Sequence, residues 1–292
     1  MAIAATRLSI TPIHPHFGAE VAGVDLTRSL DDETFARIRA AFEEHSVLVF
    51  HDQPLSDEAQ IAFSVRFGAL EQTIASIAHN DKVAAEIADL SNVDRDGALI
   101  PMDDRRMVYH SGNQLWHTDS SFKRVPALAS LLSGREVPPE GGQTEYASMR
   151  WAWAQLPEER QRWLEGKVAV HSFAYSRGLV GRGLLTPDQE AAVPPVRQAL
   201  VRANPVNGRK SIYVASHCWY IEGMSAEESR PIIDELMALA TQPSNVYSHR
   251  WRRHDLVMWD NRSMLHRGRP WDGTKYRRVM HRTTVAGDGP TA

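Results

Sequence analysis

Two stretches hold the side chains best suited to chemistry. In LWHTDSSF (115–122), His117 and Asp119 stand two residues apart. On an extended segment residues i and i+2 face the same way, so an imidazole nitrogen and a carboxylate oxygen converge. In VMWDNRSMLHRGRPWD (257–272), His266 follows an apolar run and the polar turn DNRS. Two histidines and one carboxylate on one face of a metal leave three positions open. That arrangement suits non-haem Fe(II), which has to accept both a chelating cosubstrate and dioxygen. Taken singly, each residue reads more readily as an ordinary turn or a half-exposed histidine. A zinc hydrolase could use the same three ligands, but no clearly placed general base accompanies them.

The arginines of YRRVMHRTTV (276–285) sharpen the reading. On a strand, Arg278 and Arg282 share one face while Arg277 and His281 take the other. Two buried guanidinium groups require anionic partners, and two small carboxylates would serve. Thr144, in GGQTEY, offers a hydroxyl that could share one of them. A solvated strand face with cross-strand ion pairs is the structural alternative.

Composition bounds the classes open to the chain. A net charge of -3 over 292 residues, with no basic block, argues against nucleic acid. No run of 18 apolar residues suggests a membrane span. The single cysteine, Cys218, excludes an intramolecular disulfide and makes a thiolate cluster implausible. The first residues lack the basic start and apolar run of a signal peptide, so a cytoplasmic location is expected.

The elements that must position these side chains follow from periodicity. DDETFARIRAAFEEH predicts a helix, with Asp31 or Asp32 as N-cap and Phe35, Ile38 and Phe42 on one face. SVLVF predicts a buried strand. LSDEAQIAFSVRFG predicts a second helix, from Ser56 to Gly68. Strands are expected at LASLLSGREV, KVAVHSF, KSIYVAS, NVYSHRW, DLVMW and YRRVMHRTTV. Helices are expected at SMRWAWAQL, PEERQRWLEG and MSAEESRPIIDELMALATQ, the last with a capping box from Ser225 to Glu228. Weak periodicity marks 72–113 and 176–209 as irregular lid candidates. Early helices followed by many short strands favour one mainly β domain over 1–292, a double-stranded β-helix (jelly roll) with flanking helices.

Taken in order, NQLWHTDSSF, GGQTEYASMR, VMWDNRSMLHRGR and RRVMHRTT resemble the taurine dioxygenase family of Fe(II)/2-oxoglutarate-dependent oxygenases. RLSITPIHPHFGAEVAGVDLTRSLDD and SVLVFHDQPLSDEAQIAFSVRFG extend the resemblance over nearly the whole chain. Within the family it is strongest to the branch that cleaves 2,4-dichlorophenoxyacetate. The resemblance implies His117, Asp119 and His266 as iron ligands, with 2-oxoglutarate held by Thr144 and Arg278. It implies Arg282 on the substrate's anionic group, with Asn113, His217 and Ser76 in the substrate pocket. Trp116 and Trp259 would pack beside the ligands. The implied reaction hydroxylates the carbon next to the ether oxygen of an aryloxyalkanoate. It yields a phenol, glyoxylate, succinate and carbon dioxide. Expected partners are a small carboxylate substrate, dioxygen and further copies of the chain. The alternatives are a taurine or alkylsulfonate oxygenase and a non-enzymatic metal- or anion-binding jelly roll.

Overall fold

The computed structural model describes residues 8–72 and 83–292. Helix α1 (Asp32–His45) begins where Asp31 accepts a hydrogen bond from the Thr34 amide. It buries Ile38 and Phe42 on the predicted face. Helix α2 (Asp57–Ser64), capped by Ser56, ends four residues before Gly68. Its chain tightens there into i→i+3 bonds, such as Phe67 N to Ser64 O at 3.0 Å, which turn Phe67 into the core.

The main sheet has seven strands. In spatial order they are β1 (Ser9–Pro12), β2 (Ala19–Ala22), β3 (Val47–Phe50), β13 (Leu256–Asp260), β5 (Ala129–Glu136), β15 (Val279–Val285) and β4 (Ala88–Asp89). A second sheet, β12 (Val246–His249), β6 (Thr144–Ser148) and β14 (Met264–Gly268), is antiparallel throughout. Smaller sheets pair β11 (Cys218–Ile221), β7 (Val168–His171) and β8 (Val196–Ala199), and β10 (Lys210–Ile212) with β9 (Val201–Ala203).

The two-residue period of a strand separates the layers. Leu48, Phe50, Leu131, Leu256 and Met258 face α1 and α2. The alternate residues Val47, Val49, Leu132, Val257 and Trp259 face inward, where they meet Tyr146 and Met264 of the second sheet. That sheet's other face, through Ala147 and Leu265, packs on α4 (Met149–Gln155) and α8 (Ala226–Ala240). The core is therefore two facing sheets with helices outside them. Helix α8 carries the predicted capping box between Ser225 and Glu228, with Pro231 in its second turn.

The stretches read as irregular hold regular elements. Residues 176–209 contain the end of α6 (Phe173–Gly178), all of α7 (Pro187–Ala192), and strands β8 and β9. Elements this short complete little more than one turn or one alternation, so they leave almost no periodic signal. The described part of 72–113 holds β4, α3 (Arg105–His110) and a 3₁₀ turn, Ser111–Gln114, that lines a cavity. Ser76 lies outside the described residues. No described helix is long and apolar enough to cross a membrane.

Candidate metal centre and its cavity

His117, Asp119 and His266 meet in the interior, each about 5% exposed. Reciprocal backbone bonds bring the histidines together: His117 N to His266 O at 3.0 Å and His266 N to His117 O at 2.8 Å. The ligand-capable atoms all lie within 4.8 Å of one another. His117 Nε2 is 4.0 Å from Asp119 Oδ1, and His266 Nε2 is 3.6 Å from Asp119 Oδ2. Bonds of about 2.1 Å to one ion put neighbouring ligand atoms about 3 Å apart, so a small contraction completes the site.

The protonation states suit a metal. His117 Nδ1 donates to Leu115 O at 2.7 Å, which leaves the Nε2 lone pair facing the site. Burial lowers the pKa of His117 and takes that of His266 well below its ordinary value, so both imidazoles are neutral ligands. Burial alone would raise the Asp119 carboxyl. Arg282, the two histidines and Ser130 together outweigh it and hold Asp119 far below the carboxylate range.

The turn DNRS builds the support. Asn261 Oδ1 accepts from Asp119 N and Trp259 Nε1, both at 3.0 Å. Asn261 Nδ2 donates to Ser130 Oγ, and Ser130 Oγ donates to Asp119 Oδ2 at 2.7 Å. Trp259 is fully buried with its ring 4.5 Å from that of His266. Trp116 departs from expectation. It packs into the outer cluster beneath the second sheet, with Arg267 over its ring, because alternation on this extended segment turns it away from the ligands.

A cavity of about 220 Å³ opens onto His117 and His266. Asn113, Thr144, Arg278 and Arg282 line it, beside apolar Leu90, Met102 and Met107. Arg278, 8% exposed, has no described carboxylate beside it, and burial pushes its pKa down to about 10. Its Nε is buried without a hydrogen-bond partner, as is the nearby Trp271 Nε1. Gly142, at φ +66°, lets its loop close over this guanidinium, since a Cβ there would lie 3.3 Å from Arg278 Nε. Thr144 Oγ1 accepts from Trp251 Nε1 at 3.0 Å. Arg277 points outward to Glu136 and His281 to Asp57.

Two placements differ from expectation. Arg282 Nη1 already holds Asp119 Oδ1 at 2.6 Å, so this arginine compensates the carboxylate as well as walling the cavity. His217 is not on the cavity wall. It is 2% exposed, bonds Ser176 Oγ through Nδ1 at 2.7 Å, and sets its ring 6.3 Å from that of His117. The rings of Phe122 and Phe173 pack against it. The sequence reading missed Ser130, Asn261, Trp251, Trp271 and the cavity-lining His110. Only the polar turn after Trp259 hinted at Asn261.

A carboxylate and two neutral imidazoles, open on one side to a cavity with an unpaired buried arginine, are the makings of a non-haem metal oxygenase that takes an anionic cosubstrate. Comparison with known proteins agrees, and the chain belongs to the taurine catabolism dioxygenase TauD, TfdA family, whose model matches residues 9–284. It is 43% identical, over 94% of this chain and 96% of the other, to the alpha-ketoglutarate-dependent 2,4-dichlorophenoxyacetate dioxygenase of Cupriavidus pinatubonensis. It is 38% identical to the (S)-phenoxypropionate/alpha-ketoglutarate-dioxygenase of Sphingobium herbicidovorans, over 96% of this chain and 95% of that one. Among solved structures, AAD-2 in complex with Mn(II) and N-oxalylglycine matches at TM-score 0.90 and 42% identity, covering 97% of this chain and 99% of that chain.

Proposed function

We propose that this chain is an Fe(II)- and 2-oxoglutarate-dependent dioxygenase of aryloxyalkanoates. The observation that carries the reading is a single cavity joining the His117–Asp119–His266 face to Arg278 and Thr144. His117, Asp119 and His266 hold the metal. Bound iron would supply the oxidation of 2-oxoglutarate to succinate and carbon dioxide, coupled to hydroxylation of the substrate. Arg278 and Thr144 hold the far carboxylate of 2-oxoglutarate. The buried, unpartnered Nε of Arg278 fits an anion that arrives from outside.

The substrate's aryl ring lies along Leu90, Met102 and Met107, and its carboxylate meets the Arg282 side of the cavity, near Asn113. This pose puts the carbon beside the ether oxygen toward the metal. Hydroxylation there gives a hemiacetal that falls apart to a phenol and glyoxylate. The facing sheets are read as a double-stranded β-helix within one catalytic domain. A cytoplasmic location and assembly as a homo-oligomer belong to the same proposal.

Anaerobic reconstitution with Fe(II) and 2-oxoglutarate, followed by phenoxyacetate and air, tests the reading. A visible charge-transfer band that shifts with substrate, then equal succinate and phenol, is the expected result. A band indifferent to phenoxyacetates would replace the substrate class, with sulfonates next to try. Absence of any band with metal bound would return the chain to a binding protein.

Arg278→Ala is expected to raise the KM for 2-oxoglutarate about tenfold or more, the loss of one charge-assisted contact. The KM for substrate should move far less. Equal effects on both would remove Arg278 from its assigned place. Arg282→Ala is less selective, because it also strips Asp119 of its countercharge.

A further inference from the structure

Arg177, on α6, is a buried cation with no described carboxylate beside it. It is 7% exposed, and burial lowers its pKa. Removing a guanidinium from water without an anionic partner is costly, so its retention calls for a compensating role. It is not among the residues that line the cavity. Its side-chain hydrogen bond and one of its two ring contacts lead to one segment. Nη1 donates to Tyr109 O at 2.9 Å, at the C-terminal end of α3, where a cation is favoured. The guanidinium lies 4.9 Å from the Tyr109 ring centroid and 4.8 Å from that of Phe173, so the two rings grip it.

Gly112 completes the arrangement. A Cβ at this position would stand 1.8 Å from Arg177 Nη1 and 2.6 Å from its Cζ. The turn can approach Arg177 only because residue 112 has no side chain. On its other side the same segment presents Val108, His110, Ser111 and Asn113 to the cavity. It runs on to Leu115, whose carbonyl orients His117.

We infer that Arg177 is a positioning residue for the substrate, clamping the 109–114 turn so that its far face forms a fixed cavity wall. The inference rests on the proposed use of that cavity for the aryloxyalkanoate. A wall displaced by about 1 Å moves the reacting carbon out of line, which can cost a hundredfold in productive attack. Arg278 and Thr144, the proposed holders of the cosubstrate, lie outside that segment. Loosening it therefore separates the two half-reactions: succinate still forms, and less phenol accompanies it.

The test uses Arg177→Met, Gly112→Ala and the double variant of the full chain. Each is measured for the ratio of succinate to phenol, for substrate KM, and for stability in urea. In the unsubstituted protein the ratio should be near one. Arg177→Met and Gly112→Ala should each raise it several-fold with 2-oxoglutarate KM little changed. In the Arg177→Met background, Gly112→Ala should add nothing to either the ratio or the loss of stability, because the atom it collides with is gone. Effects that simply add, or activity that falls with the ratio fixed at one, would overturn the clamp. The stability cycle between positions 112 and 177 needs no substrate, so it judges the clamp even if phenoxyacetate proves the wrong acid. In that case the ratio is read with the acid that does couple.

Discussion

Asp119→Ala is expected to abolish metal retention and turnover together, and to destabilise the metal-free protein by about 3 kcal/mol. The second effect comes from Arg282. Its Nη1 donates to Asp119 Oδ1 at 2.6 Å, with the two side chains 19% and 6% exposed. Breaking a buried pair by removing one partner costs about 3–5 kcal/mol, because the survivor is left charged and poorly solvated. Arg282 keeps some contact with water, which places the estimate at the lower end. Ser130 Oγ loses its carboxylate acceptor in the same step, while the bond from the residue 119 amide to Asn261 Oδ1 remains. Urea denaturation of the metal-free variant reads the stability, and titration with Mn(II) reads the metal. Adding Arg282→Leu to Asp119→Ala should recover part of the lost stability without restoring metal binding. Unchanged stability in Asp119→Ala would show that the pair is solvated and compensates nothing.

Acidification is expected to unfold the metal-free protein earlier than its carboxylates alone would. His171 is fully buried, its pKa lowered to about 3 by desolvation, and His217, 2% exposed, is likewise taken well below its ordinary value. In the unfolded chain each titrates near 6.5, so below that pH the unfolded state binds protons that the folded state refuses. Stability therefore rises with pH through this window and is lost as pH falls from about 6.5 toward the folded values. Each such group costs about 1.4 kcal/mol per pH unit, so the pair removes roughly 3 kcal/mol by pH 5.5. Denaturation curves at pH 7.5 and 5.5 measure the difference. His171→Gln should flatten the dependence, and an equally steep slope in that variant would assign the proton uptake elsewhere.

The candidate metal ligands were legible because His-x-Asp is a local signal. The four-residue step from Arg278, just before β15, to Arg282 survives even though the register of β15 against β5 shifts between Val279 and Met280. Residues two and four apart still share a face, and Arg277 duly meets Glu136 outside. The supporting groups were not legible, since nothing in the neighbourhood of Ser130 or Asn261 shows that they will share a proton donor across 131 residues. Arg282 was read only as a substrate contact, because a sequence does not show which buried charge lies nearest. His217, a pocket candidate by resemblance, packs against Phe122 and Phe173 with its ring 6.3 Å from that of His117. The 176–209 region read as irregular because its strands are only three or four residues long.

His117 and His266 are joined by a reciprocal pair of backbone bonds although about half the chain lies between them. Contacts so remote in sequence close late, after loop entropy has been met by the surrounding sheets. The complete three-ligand set therefore exists only once these sheets have formed. In the metal-free fold Arg282 already sits against Asp119, so the carboxylate is compensated there without an ion.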